Sequence, residues 1–432
     1  MPRLEYFTDL LKVEITQRRE EGCDVAGFGG RLAQLSTLDQ AQELYDQLMA
    51  LTPVTSYVEP SDLKGIRAER PEGPRRLPVE LSHDELSDRI RGGWLGRCAG
   101  CQLGRPVEGW PYERIRTYLE RAKAYPLDGY VPEKSVDDEG NEWQTKSPGS
   151  TREHIQCAER DDDQDWTILA LHILERLGPD FTTPQVGDVW LRMMPYRRIF
   201  VAARQAYRNL VIGHQYPECA TLWNPYREWI GAQIRADGWG YAAPGWPERA
   251  AEFACRDAVL SHRKNGIYGE MFMAAAVAAA FVTEDMEEVV RLGLSEIPRN
   301  SRYAEMVNVV LAWSKECADW DSARARVSER YGHYHWVHSI NNAALVLLAL
   351  LYGRKDYEKT VCYAVMGGWD TDCNGATAGS ILGVMLGASQ LPLQWVSPLN
   401  DTIKSAVFGY DGSCISELAA RTVQVARKVI AD

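Results

Sequence analysis

Apolar residues recur at three- and four-residue spacing along most of this chain, the period of one face of an α-helix. The pattern predicts helices over 4–19 and 38–51. A dense series then begins at Asp84: 110–124, 165–177, 184–193, 197–211, 225–236, 247–261, 267–281, 285–296, 301–317, 320–330, 337–352, 356–366, 374–388 and 398–408. Ser82-His83-Asp84-Glu85 has the form of an N-terminal cap, and Thr37 with Gln40 three residues on that of a capping box. No convincing strand series and no nucleotide-fingerprint βαβ unit appears. The expected fold class is all-α.

The spacing breaks in two places. Pro53, Pro60, Pro71, Pro74 and Pro78 punctuate a stretch rich in Arg and Glu, expected to be an extended linker that wraps the main body. Residues 1–80 therefore read as an N-terminal helical appendage with its linker, structural or oligomerising, and 81–432 as the main domain. The polar segment 125–160, with Asp137-Asp138-Glu139 inside it, reads as a long loop of the kind that is usually functional. A glycine row at 93, 96, 100 and 104 predicts a helix with one bare face, suited to close packing and ended by Pro106.

Composition narrows the class. A chain of 432 residues and net charge −12 can bury a large core and is a poor partner for nucleic acid. No apolar run of about 18 residues is present, which argues against a membrane span. The start, Met1-Pro2-Arg3-Leu4, lacks an apolar signal region. The ten cysteines are scattered, and the Cys98/Cys101 pair has no second pair to complete a zinc site. A reducing, cytoplasmic setting is expected.

The chemistry is carried by acids. Asp370 and Asp372 follow Gly367-Gly368 and precede a run of small and apolar residues. Positions i and i+2 point apart within a helix, so the two carboxylates converge only on a turn or in a first helical turn. Converging carboxylates suit a hard divalent cation. Asp161, Asp162 and Asp163 open an apolar helix, where Asp is a favoured cap, but three acids exceed what one cap needs. A metal site shared between the two acidic segments is the better explanation. Glu108, on a turn just past the glycine-faced helix, is a candidate catalytic carboxylate.

Trp223, Trp229, Trp239 and Tyr241 surround Arg235, an arrangement that either stacks a base and grips an anion or packs a core. His262, Gly266, Tyr268 and Gly269 form a candidate substrate loop. His333, His335 and His338 lack the partners of a zinc site, and a pocket rim with His338 and Asn341 facing inward is expected instead. The apolar run 343–351 is core.

In order and spacing these segments resemble the ADP-ribosylglycohydrolase family. That family's Gly-x-Pro-x-Glu element corresponds to Gly104-Arg105-Pro106-Val107-Glu108. Its Thr-Asp-Asp-Thr element corresponds to Asp161-Asp162-Asp163-Gln164, and its Gly-Asp-Thr-Asp-Thr element to Trp369-Asp370-Thr371-Asp372-Cys373. Leu260-Ser261-His262, with the loop through Gly269, looks like the family's Leu-Ser/Thr-His segment. The flanking threonines are replaced here by Asp161, Gln164 and Cys373, while the core acids are kept. The resemblance implies a compact orthogonal helical bundle and hydrolysis of an N- or O-ribosyl bond. It implies one or two Mg²⁺ ions, with Mn²⁺ as a substitute, held among Asp161, Asp162, Asp163, Asp370, Asp372 and Cys373. Glu108 and Asp163 would be catalytic, and Arg235, Trp239, His262, Gly266, Tyr268, Gly269, His338 and Asn341 would face the substrate. The substrate would be an ADP-ribosylated protein or a ribosylated small molecule. Alternatives are a glycosidase of the same fold acting on a nucleoside-like metabolite, or a non-catalytic ligand-binding protein. The oligomeric state stays open.

Overall fold

Two antiparallel helices, His83–Gly104 and Thr371–Leu386, touch backbone to backbone through the middle of the molecule. A Cβ placed on Gly92, Gly96, Gly100 or Gly104 would lie 2.0 to 2.2 Å from the carbonyl oxygen of Gly383, Gly379, Gly375 or Thr371, respectively. The row repeats every four residues, the ridge along which helices interdigitate. Gly92, not Gly93, completes it. Gly93 lies one residue round the helix and meets the Tyr241 ring instead.

The computed structural model describes residues 3–137 and 139–431, so Asp138 of the acidic run in the long loop lies outside the described residues. Among them are twenty α-helices and two small antiparallel sheets. Lys134–Val136 pairs with Glu142–Gln144, and Thr402–Ile403 with Ser413–Cys414. The all-α class holds, and the 125–160 loop carries the first of these hairpins. Ser82 and Glu85 form a complete capping box: Glu85 N donates to Ser82 Oγ (3.2 Å) and Ser82 N to Glu85 Oε2 (2.8 Å). At Thr37 only the forward half forms, because Gln40 Oε1 turns to Ser36 N.

Four segments differ from expectation. The chain over 225–236 is not a helix; turns lead into a 3₁₀ turn, Gln233–Arg235, and the short helix Ala236–Ala242. Its backbone spends its hydrogen bonds on another segment: Ile230 N donates to Val337 O (2.8 Å) and Ser339 N to Glu228 O (3.2 Å). Residues 398–408 cannot continue a helix because Asn400 and Asp401 sit at φ 45° and 50°. A C-terminal helix, Ile415–Ala431, packs Leu418, Val425 and Val429 inward, and a short one, Leu63–Glu69, lies within the Pro-rich linker.

The first two predicted helices are Leu4–Glu20 and Leu38–Ala50. They form an apolar cluster of Leu10, Leu11, Ile15, Leu44 and Leu48 that is closed by Trp223, whose ring stacks on Tyr45 at 4.1 Å. Beneath it Arg227 is paired at 2.8 Å with both Glu14 and Glu21, all three buried. The linker follows the body: Val58 N donates to Asn300 O (2.9 Å) and Leu77 N to Gly245 O (2.7 Å). All ten cysteines are free. No described helix is long and apolar enough to cross a membrane.

Candidate active site

The glycine ladder decides where the acids meet. Its last rung seats Gly104 on Thr371, whose hydroxyl donates to Gly104 O (2.8 Å). Glu108, just past the end of one helix, is thereby brought beside Asp370 and Asp372 at the start of the other. Two further bonds lock the turns together: Gly109 N donates to Trp369 O (2.8 Å) and Trp369 N to Trp110 O (2.9 Å). Gly368 and Trp369 both take positive φ, 86° and 66°. For a tryptophan that conformation is strained and is held only by the surrounding bonds. Asp370 N then donates to Asn342 Oδ1 (3.1 Å), which also receives Asn374 Nδ2 (2.9 Å).

One carboxylate oxygen each from Glu108, Asp370 and Asp372 lie within 4.8 Å of one another. A second group, Asp163, Asp372 and Cys373, meets the same limit, so Asp372 belongs to both. Asp163 reaches the cluster from the first turn of the Asp162–Leu177 helix. Arg97 holds it there, donating from Nη2 to Asp163 Oδ1 (3.1 Å) and Asp163 O (2.6 Å). Cys373 Sγ donates to Asp163 Oδ2 (3.2 Å).

Asp161 and Asp162 fall outside both groups. Asp161 is the helix cap: its Oδ1 accepts from Asp163 N (3.2 Å) and its Oδ2 from Arg105 Nε (3.0 Å), so both oxygens are engaged. Asp162 lies half-buried beside it. Two of the three consecutive acids therefore divide the labour, Asp161 capping and Asp163 reaching the cluster.

Asp163, Asp370 and Asp372 are only 1%, 3% and 5% exposed. Burial pushes all three carboxyls well above the usual carboxylate range; Glu108 raises Asp370 and Asp372 further, and Arg97 opposes the shift at Asp163. Glu108 itself is raised by burial and then by Asp161, against Lys146 and Arg105. Burial also lifts the Cys373 thiol, which keeps its proton and acts as a donor. Asp372 Oδ1 is buried with no hydrogen-bond partner. Repelling carboxylates around an unpartnered oxygen are the donor set that a hard cation satisfies.

The other expected site residues go elsewhere. Arg235 is interior: it pairs with Asp257, and its guanidinium lies 5.3 and 5.1 Å from the Trp166 and Trp190 rings. Trp239 is interior too, donating to Glu270 Oε1 (2.9 Å) and stacked on Phe181. The buried acids Asp257 and Glu270 need these partners, which leaves Arg235 and Trp239 none for a ligand. His262 is fully buried against Ser261 Oγ (2.7 Å). Gly266 is small because Arg227 O would lie 2.4 Å from a Cβ there, and Gly269 packs on Gln233. Tyr268 donates to Pro60 O of the linker. This loop thus approaches its own chain. His338 caps the Ser339–Gly353 helix, its Nδ1 accepting from Ile340 N (3.2 Å), and Asn341 Nδ2 donates to His335 O (3.1 Å). Sequence reasoning missed Asn342 and Arg97. The signal for Asn342 was available, since Asn341-Asn342 is a polar pair opening an otherwise apolar helix.

The sequence profile of the ADP-ribosylglycohydrolase family matches residues 82–431. An uncharacterised protein of Archaeoglobus fulgidus is 26% identical over an alignment 327 residues long that covers 73% of this chain and 93% of that relative. A solved structure, an ADP-ribosylglycohydrolase-related protein complex, covers 80% of this chain and 99% of its own at 20% identity and a TM-score of 0.47. With the profile running through every segment that builds the acid cluster, the chain belongs to the ADP-ribosylglycohydrolase family.

Proposed function

We propose that this protein is a divalent-metal-dependent hydrolase of a ribosyl glycosidic bond of the ADP-ribosyl type. The observation that carries the proposal is the pair of overlapping acid groups that share Asp372, with Asp372 Oδ1 buried and unpartnered. Asp163, Asp370 and Asp372 would hold the ion, with the Glu108 carboxyl beside it. Mg²⁺ is favoured, with Mn²⁺ as a substitute, because the donors are hard carboxylate oxygens apart from one protonated thiol. A cation bound there supplies polarisation of a ribose hydroxyl or a water.

The remaining chemistry belongs to the chain. The bond from the anomeric carbon to its nitrogen or oxygen substituent breaks as a bond to a water oxygen forms, through a transition state with oxocarbenium character. Carboxylates close to that carbon stabilise the developing charge. Glu108, half-buried and with its proton affinity raised, takes a proton from the attacking water at a carboxylate oxygen and returns it to the leaving group. Arg97 orients Asp163, and Asn342 holds the Asp370 turn.

The substrate is an ADP-ribosylated protein or a ribosylated small molecule. Release of labelled ADP-ribose from a modified protein, followed with and without added Mg²⁺, tests the proposal. Release that needs the metal is expected. Metal-independent release overturns the metal role, and no release from protein with turnover of a ribosylated small molecule assigns the smaller substrate.

A further inference from the structure

We propose that a second site, in a cleft between the Leu4–Glu20 helix and the body, binds a planar nitrogen-rich cation of the guanidinium class. The cavity measures about 370 Å³. Gln17 and Glu20 line one wall, with Asp9 and Lys12 among the other residues of that helix, and Trp229 and His335 form the opposite wall. One wall therefore lies outside the family match, which begins at residue 82.

Two acceptor atoms on residues that line this cleft are buried and have no donor. The Glu20 side chain is 7% exposed and its Oε1 is unpartnered. Gln17 Nε2 donates to Glu21 (3.0 Å) and Glu228 (2.9 Å), which fixes the amide and leaves its Oε1 bare. Glu20 Oε2 faces His338 Nε2 at 3.9 Å, beyond a hydrogen bond. His338 Nδ1 accepts from Ile340 N, so the ring hydrogen is on Nε2 and aimed at that oxygen. A ligand rich in N–H groups would supply the missing donors once the Glu20 carboxyl turns toward it.

Charge points the same way. Burial first, and then Glu228, push the Glu20 carboxyl up to about 8, while Arg302 and Arg19 oppose the shift. Arg302 is already engaged with Glu59 and Glu228. A cation in the cleft would take up the compensation that Glu20 lacks. The opposite wall is flat: Trp229 and His335 stack at 4.2 Å and 9° between planes, and His335 is exposed. Aromatic faces of this kind take guanidinium in preference to a compact ammonium. Asp9 and Glu20 disfavour a phosphate, and the cleft's one basic lining residue, Lys12, is solvent-exposed.

The test is calorimetric titration of the full-length chain with agmatine, which has no glycosidic bond, so the result does not depend on hydrolysis. Saturable one-to-one binding is expected. It should weaken roughly tenfold or more in Glu20→Gln, the loss of one charge-assisted contact, and weaken in His335→Ala, which alters only an exposed ring. The uncharged ureido counterpart of agmatine should not bind. Equal binding of a blocked Gly-Arg-Gly peptide would identify a protein arginine as the natural ligand; agmatine binding without peptide binding would identify a free guanidino compound. Absence of saturable agmatine binding overturns the proposal. So does equal affinity in a folded Glu20→Gln variant, or equal binding of the ureido compound.

Discussion

Asp372 is the residue on which most depends, because it alone belongs to both acid groups. Asp372→Ala should abolish turnover and weaken Mg²⁺ binding measured by calorimetry, while the circular dichroism spectrum stays unchanged. Removing one of several repelling buried carboxyls costs the fold nothing, and thermal stability without metal should hold or rise. Unchanged Mg²⁺ affinity would rule out a shared site. Glu108→Gln should lower turnover by about 10²- to 10⁴-fold, as for loss of a general acid/base. Near-wild-type rates would remove Glu108 from the proton path. Glu20 gives a pH signature of its own. Its folded-state pKa, about 8, lies above its ordinary 4.5, so the folded chain binds more protons between these values. Its contribution is fully present below 4.5 and is lost as the pH rises to about 8. The groups facing it are Glu228, Arg302, Arg19, Glu21 and His338. Glu20→Gln should flatten this part of the stability–pH curve from urea melts; an unchanged slope would mean that Glu20 is ionised in the folded chain.

At the scale of elements, the glycine ladder is the most demanding contact. Gly100→Ala would put a Cβ 2.0 Å from Gly375 O, against rigid backbone. The gain of about 1 kcal/mol in helix propensity cannot offset that clash. A loss of about 3 kcal/mol is expected from denaturant melts, together with reduced turnover, because a shifted ladder moves Glu108 away from Asp370. Gly30→Ala is the control: it is also helical, nothing lies within 4 Å of its Cβ, and no loss but a gain of up to about 1 kcal/mol is expected. Equal effects of the two substitutions would show that the helices can separate without cost.

For the whole molecule, the N-terminal residues are bound to the body by charge as well as by apolar packing. Arg227→Met would leave Glu14 and Glu21 buried without this partner. A loss of about 3–5 kcal/mol is expected for stripping one member from such a network. Limited proteolysis should then cut ahead of residue 82 before the rest of the chain is attacked. Wild-type resistance would mean that the apolar cluster around Trp223 suffices to hold the segment.

The sequence by itself determined the all-α class, because three- and four-residue spacing states which face of each helix is buried without knowledge of its partner. It also determined the acid pairs and three of the four glycines of the row, 96, 100 and 104, since their spacing constrains backbone and charge locally, whereas the packing chose Gly92 over Gly93. Only the tertiary structure decided which acid does what. Asp161 caps its own helix and has its other oxygen taken by Arg105, while Asp163 joins the cluster with Arg97 of a distant helix holding it. The fate of Arg235 and Trp239 was settled by Asp257 and Glu270, which no local pattern connects to them. The broken segment 225–236 had helical spacing, yet its backbone bonds were claimed by the chain around residue 338. Partner choice across long sequence separation is what spacing cannot encode, and here it sets the acid cluster.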